Sequence, residues 1–425
     1  MALWVLQLND IAIRVTRDGE LVDESPGVAV IGRHEVLTGS AAAAARFLEP
    51  RGAHDRYWQR PGEQPLPGAT RQCRHHADLV YHHLAAILAR CGKPREAVLA
   101  VPAHYGDAEL AQLLGICEAL GLAVPALVDG NVAALAACAP PGRYTVAELY
   151  RHHATLVDID VDENCTRGTA TLVEAAALAR LEHACLDLLA DAFLDQARFD
   201  PLHEAASEQR LADALPGWLA EAAGDATEVE IALTHRGRSY TAHVARREFE
   251  RITAMVLGAL TERVPPARAL VVAPTLAALP GAARVLGTEA LLPLDAAASG
   301  IATHRLALGS GSPTCFVTTL PASTSPTLAC RAVTMASADT PTHLLCGPRA
   351  VPLASTRHTL NADGSVGGGD VAVAATVRIA DGRMLAHPGR AGLEVNGRAV
   401  RDEIVLAAGD CLRSAGAEFR AIRVD

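Results

Sequence analysis

VLAVPAHYGDAELAQLLGICEALGLAVPALVDGNVAALAA, residues Val98 to Ala137, sets the fold class. Its opening apolar run, Ala97–Val101, is short, uninterrupted and closed by Pro102, as expected of a strand covered on both faces. Asp107 is placed to cap a helix over Ala108–Leu120, where a side-chain oxygen can accept one of the unsatisfied N–H groups of the first turn. A second buried strand at Val124–Val128 leads into a helix over Asn131–Ala137. Strand, helix, strand, helix is the signature of a wound α/β sheet.

Upstream, Leu3–Leu8 and Ile11–Thr16 read as strands around a polar Asn9–Asp10 break, with Arg17-Asp18-Gly19 as a second turn before a short strand at Leu21–Asp23. Val28–Ile31 and Glu35–Thr38 continue the strand pattern, and Ser40 starts an alanine-rich helix that ends near Pro50. Gln59–Thr70, with three prolines and two glycines, is a loop, followed by a helix from about Gln72 to Arg90. Downstream, Ala154–Asp160 and a return strand Gly168–Val173 read as a second copy of the opening hairpin. Helices follow over Cys185–Leu194 and Glu204–Ala222, polar strands at Glu228–Leu233 and Ser239–Val244, a helix near Arg246–Thr261, a buried strand at Leu270–Val272, and a small-residue helix over Pro293–His304.

A chain of 425 residues exceeds the roughly 250–300 at which single cores stop growing, so more than one unit is expected. The formal net charge of −10 opposes a general nucleic-acid or anionic-membrane surface, which needs clustered cations. Lys93 is the only lysine, so nearly all positive charge is arginine. The 10 cysteines form no CxxC pair and the N-terminus carries no secretion-signal pattern, so reduced thiols and a cytoplasmic location are expected. No apolar run approaches the roughly 20 residues that span a bilayer. After Ser310 the composition shifts to Ser, Thr, Pro and Gly, which predicts a linker over 306–340 and a β domain over 341–425.

The doubled hairpin-led α/β unit resembles the actin-like ATPase fold, and several stretches resemble its DnaK (70 kDa heat-shock chaperone) branch. Val98–Ala137 matches in order that family's strand, "VPAYF-D" turn, "A-G-L" loop and "EPTAAALAY" helix. Ser25–Val30, Val36–Ala42, Val271–Gly281 and Pro293–Ala302 resemble further family segments. The resemblance covers 1–305, in halves of about 1–150 and 151–305, and the extra lobe the family carries near Gln59–Thr70 is trimmed or absent. It implies nucleotide held between the halves by one glycine-rich turn from each, with acids handling Mg²⁺ and water.

Carried over residue by residue, those demands meet substitutions. The family's first "D-L-G" aligns with Gln7, Leu8 and Asn9, followed by Asp10, which removes the acid and the glycine. Its second, "D-L-G-G-G-T", aligns with Asp158-Ile159-Asp160-Val161-Asp162-Glu163, keeping Asp158 but replacing glycines with carboxylates that would repel a triphosphate. The "E-P-T" glutamate becomes Asp129, and the adenosine-loop glycines become Ala273 and Pro274. Asp158 and Asp129 are therefore the catalytic candidates if the site turns over at all. The acidic turn has an alternative reading as a cation loop, although it lacks the spacing of an EF-hand. No metal site is expected from Cys73, His75, His76, His82 and His83, nor from His152–His153, whose spacings do not close a tetrahedron. Gly309–Ser312 and Gly367–Gly369 read as turns, and no nucleophile elbow is present.

In the C-terminal part, Leu393–Val400 with an Asn396-Gly397 turn, Ile404–Asp410 and Phe419–Val424 resemble the end of a forkhead-associated domain. That family's phosphate-reading "G-R" and "S-x-x-H" are missing around Gly367–Ile379, so a sandwich that contacts protein without reading phosphopeptide is expected. The resulting expectation is a DnaK-like pseudo-ATPase acting as an interaction scaffold, with no bound cofactor and a companion chaperone or assembly component as partner. Two alternatives stay open: a divergent ATPase using ATP and Mg²⁺, and an actin-like adaptor of a secretion or pilus machine.

Overall fold

The opening meander forms as read: β1 (Trp4–Gln7), β2 (Ile13–Arg17) and β3 (Glu20–Ser25) pair antiparallel in sequence order. The structure, a computed structural model, describes residues 2–33, 35–265, 268–288, 290–308, 315–328, 341–347, 349–353, 358–361, 365–367, 375–380, 383–389, 392–400, 403–406, 409–414 and 416–423. It divides into two units, Met1–Cys330 and Arg331–Asp425. The first is mixed α/β and the second is built of strands.

In the first unit, β4 (Ala29–Ile31), β5 (Val36–Thr38), α1 (Ser40–Ala43) and β6 (Ala53–His54) follow the meander, the three strands forming a small sheet. After α2 (His76–Arg90), the chain makes β7 (Val98–Val101), α3 (Asp107–Ala119), β8 (Ala126–Asp129) and α4 (Gly130–Cys138). β7 lies parallel to β1 and β8 parallel to β7, so the sheet reads β8-β7-β1-β2-β3. All four residues of β7 and of β8 are buried, which is why their sequence shows no alternation. Leu6, Ile13, Leu84, Ile87, Leu99 and Leu113 fill the core between this sheet and α2 and α3.

The second half begins earlier than the sequence reading placed it. Its first strand is β9 (Gly142–Leu149), and β10 (Ala154–Val161) and β11 (Asn164–Val173) are the second and third strands of an antiparallel meander. α5 (Leu178–Ala197), α6 (Ala205–Ala223), the hairpin β12 (Glu228–His235) and β13 (Arg238–Ala245), and α7 (Arg246–Thr261) come next. Then β14 (Ala269–Val272) pairs parallel to β9, so the sheet runs β14-β9-β10-β11. Three antiparallel strands whose first pairs in parallel with a fourth is the order of the first half again. The hairpin turn matching Asn9–Asp10 is therefore Tyr150–His153, and the half boundary falls at Pro140–Pro141 rather than near 151. A separate core of Leu149, Leu156, Phe193, Leu211, Phe249 and Leu257 supports this half.

Short helices α8 (Pro274–Ala277) and α9 (Ala282–Leu286) lead to α10 (Ala296–Thr303) and α11 (Arg305–Leu308). α10 packs on α4 so closely that a Cβ on Gly300 would overlap the Ala133 carbonyl. The segment expected to be a linker is instead structural where it is described. β15 (Cys315–Val317) extends the first sheet beside β8, and β16 (Thr319–Pro321) extends the second beside β11. Thr327 and Leu328 then donate backbone N–H groups to Cys138 O. Open sheet edges supplied the partners that Ser/Thr/Pro-rich composition does not advertise. This strap joins both halves.

The second unit holds β17 (His343–Cys346), β18 (Arg349–Pro352), β19 (His358–Leu360), β20 (Val366–Gly367), β21 (Thr376–Ala380), β22 (Arg383–His387), β23 (Glu394–Val395), β24 (Arg398–Ala399), β25 (Ile404–Leu406), β26 (Cys411–Ser414) and β27 (Ala417–Ile422). They form two sheets, β18-β17-β27-β26-β23-β24 and β20-β19-β21-β22-β25, around Leu344, Leu360, Val377, Met384, Leu412 and Phe419. The expected Asn-Gly turn is present, with Asn396 at φ 52 and Gly397 at φ 76. Asn396 also ties it to the Gly-Asp turn, donating to Asp410 and accepting from the Cys411 N–H. Gly309–Ser312, Gly368–Gly369 and most of the stretch where phosphate-reading residues were sought lie outside the described residues. Among the described residues no helix is long and apolar enough to cross a membrane.

Candidate functional site

Two matched turns meet at the junction of the halves in the first unit. Asn9 bends its own turn, its Oδ1 accepting the Ile11 N–H at 2.9 Å. Its Nδ2 crosses to the other half, donating to Glu148 Oε1 and to the Leu149 carbonyl, both at 3.0 Å. Asp10 completes the contact by accepting the Arg151 N–H at 2.7 Å. Glu148 Oε2 accepts from the Tyr150 hydroxyl at 2.7 Å and from Asn131 Nδ2 at 3.4 Å. Apart from half-buried Ile11, every one of these residues is buried. The backbone N–H groups of Ile11 and Arg151 are thus occupied by carbonyl or carboxylate oxygens of the protein itself.

A charged network backs this latch. Arg151 donates to Asp55 at 2.7 Å and to Glu182 at 3.0 Å, His152 lies 2.9 Å from Asp55, and Arg46 reaches Glu182 at 3.3 Å. Asp55 and Arg46 come from the first half, and Arg151 and Glu182 from the second. Burial pushes the Asp55 carboxyl up, but the His152 hydrogen bond and the Arg151 guanidinium outweigh it and hold it well below the usual carboxylate range. At Asp10 the Arg151 N–H hydrogen bond and the nearby His152 and Arg151 charges only partly offset burial. The Asp10 Oδ2 has no hydrogen-bond partner, and burial lifts its carboxyl to about 6.

The cleft lined by these turns also receives Gln7, Ala100, Pro102, Ala273, Pro274 and Ala297. Its volume is ≈ 30 Å³. Three surface grooves of the same unit have volumes of ≈ 320, 340 and 440 Å³. One water needs about 10–15 Å³ and small-molecule pockets run to about 300–1,000 Å³. The cleft accommodates a water or two.

Of the residues singled out from sequence, Gln7, Asn9, Ala273 and Pro274 line this cleft. Asp129 is fully buried beside it as the N-cap of α4, accepting the Asn131 and Val132 N–H groups and facing Arg167 at 3.3 Å. Burial raises its carboxyl and that of Glu148, and the Val132 hydrogen bond only partly offsets this at Asp129. Asp158, Asp160 and Asp162 are elsewhere. The first two lie within β10, Asp158 accepting from Thr145 at 2.7 Å and pairing with Arg268, which also holds Asp160 at 2.8 Å. Asp162 caps the β10–β11 turn through the Asn164 N–H. Because the meander starts one strand earlier, Glu148 meets Asn9, Arg151 meets Asp10 and Tyr150 holds Glu148, three residues the sequence reading missed. Their signal was the echo of Leu6-Gln7-Leu8-Asn9 in Ala147-Glu148-Leu149-Tyr150.

The histidine-rich helix has a structural centre. His83 is fully buried, its Nδ1 facing the Tyr57 hydroxyl at 2.8 Å and accepting from Trp58 Nε1 at 3.0 Å, with Nε2 2.8 Å from Ser25 Oγ. Burial lowers it to about 3, so the neutral ring is the hub of a polar cluster in the first-half core. Among the described residues no cluster of three His, Cys, Asp or Glu is placed to hold a metal ion. No protein-family model matches the chain, and no curated protein is significantly similar to it.

Proposed function

We propose that the first unit is a divergent actin-like domain of the DnaK type that serves as a non-catalytic interaction scaffold, with the second unit as a forkhead-associated-like docking module. The fold part is supported by the repeated strand order of the halves and by two hairpin turns that face one another between them. The two-sheet sandwich with its linked Asn-Gly and Gly-Asp turns supports the second part.

One observation carries the functional reading: the two turns that would grip a phosphate chain hold each other instead, through Asn9 to Glu148 and Asp10 to Arg151. A nucleoside triphosphate does not fit these residues. The Ile11 and Arg151 N–H groups of the turns are occupied, Glu148 on the lining would oppose its charge while Arg14 on the lining is already paired with Glu24, and the free volume is an order of magnitude too small. The strap over 315–328 and the tight α4–α10 contact work in the same direction, fixing the halves together. What remains useful is the outer surface.

The test is phosphate release from MgATP by the full chain beside an Asp158→Ala variant. Both are expected to match a protein-free blank. Turnover above the blank that disappears on Asp158→Ala would reject the scaffold reading and restore Asp158 as an acid of the reaction.

A further inference from the structure

A preformed groove runs along the seam between the halves, on the solvent side of the Arg151 network. Phe47, Pro50 and Ala53 of the first half form one wall, and Ala179, Leu186 and Leu202 of the second form the other. Its volume of ≈ 320 Å³ is about ten times that of the latched cleft and would take one or two large side chains. The walls are held together: Gln209, on α6, accepts the Phe47 N–H at 2.9 Å and donates to the Ala43 carbonyl at 2.9 Å. Leu202 is 37% exposed, an apolar side chain of this size left open at the groove.

The charges around it do not balance. Asp55, Glu182, Asp187 and Glu208 line the groove against two guanidinium groups, those of Arg46 and Arg151. Both guanidinium groups are already committed to Glu182 or Asp55 at the back of the groove, and Arg46 also lies 4.8 Å over the Phe47 ring. At the open side, Asp187 is faced by His183 at 3.7 Å, with that imidazole 80% exposed. Glu208 sits near the same imidazole and makes no salt bridge among the described residues, and its partial burial disfavours a lone negative charge. An apolar floor with an uncompensated acidic rim complements a side chain that is apolar along its stem and cationic at its tip.

We propose that this seam groove docks a basic, amphipathic segment of a partner protein, placing a bulky apolar residue between Phe47 and Leu202 and an arginine or lysine against Asp187 and Glu208. The assignment rests on the scaffold reading for the expectation of a partner. It does not require the nucleotide cleft to be closed, so the two can fail separately.

A fluorescein-labelled peptide of alternating leucine and arginine, titrated with the full chain and read by anisotropy, tests it. Asp187→Asn with Glu208→Gln is expected to weaken binding about tenfold, two partly exposed pairs at under about 1 kcal/mol each. Leu202→Ser, which removes the apolar wall without adding charge, is expected to weaken it as well. A remote neutralisation on β12, Glu228→Gln with Glu230→Gln, is expected to leave it unchanged. Equal losses from the groove and remote variants, equal binding of a leucine–glutamate peptide, or no binding by the wild type would overturn the assignment. MgATP turnover measured on the same samples reports on the scaffold reading independently.

Discussion

Replacing Asp10 by asparagine should stabilise the first unit near neutral pH and lose that advantage in mild acid. Asp10 is 5% exposed, its Oδ1 accepts the Arg151 N–H, and its Oδ2 has no partner. An asparagine keeps the acceptor and deletes the buried charge. Burial raises the folded carboxyl from 3.8 to about 6. A group raised in this way gives its full stability below the unfolded value and loses it as pH rises through the folded value. Wild-type stability from this residue therefore falls between about pH 4 and pH 6, by about 3 kcal/mol. The amide left facing the unpaired position costs about 1 kcal/mol, leaving a net gain of about 2 kcal/mol for Asp10→Asn at about pH 7.5. Urea unfolding followed by tryptophan fluorescence isolates the right unit, because Trp4, Trp58 and Trp218 all lie within residues 1–330. Other titrations cancel in the difference between the two proteins. A difference that does not change from about pH 4 to pH 7.5, or a variant less stable than wild type at neutral pH, would refute the reasoning.

The latch and the seam make two further predictions by the same assay. Asn9→Ala removes both cross-half hydrogen bonds and strips a donor from buried Glu148, so a loss of about 2–3 kcal/mol is expected, and a loss under about 0.5 would mean the turns are not held by it. Gly300→Ala drives a methyl into the Ala133 carbonyl and should cost about 1–3 kcal/mol, whereas alanine at exposed Gly115 on α3, with nothing near its Cβ position, should be neutral or stabilising.

The contrast between Val98–Ala137 and Gly142–Leu149 shows what was legible. The first stretch announces itself because both strands are pure apolar runs bounded by Pro102 and Asp129, residues whose local chemistry ends or caps elements, although Asp107, expected to cap α3, is instead its first residue with Gly106 at the cap. β9 is almost as buried, yet Arg143, Thr145 and Glu148 interrupt it and Pro140-Pro141 precedes it, so it reads as a loop. Glu148 is tolerated there through Asn9, 139 residues away, which no local pattern encodes. Losing that strand shifted the second turn and directed attention to Asp158, Asp160 and Asp162 in place of Glu148 and Arg151. The strap over 315–321 was hidden for a related reason, since its strands exist only because two sheets leave edges open to them. The role of His83 has no local signature, since the Tyr57 and Trp58 side chains that converge on it lie 26 and 25 residues away.

Calorimetric titration of the full chain with MgATP tests the closed cleft most directly. The latch between Asn9–Asp10 and Glu148–Arg151 predicts no saturable heat. A single-site isotherm with micromolar or tighter affinity, about −8 kcal/mol or better, would contradict it.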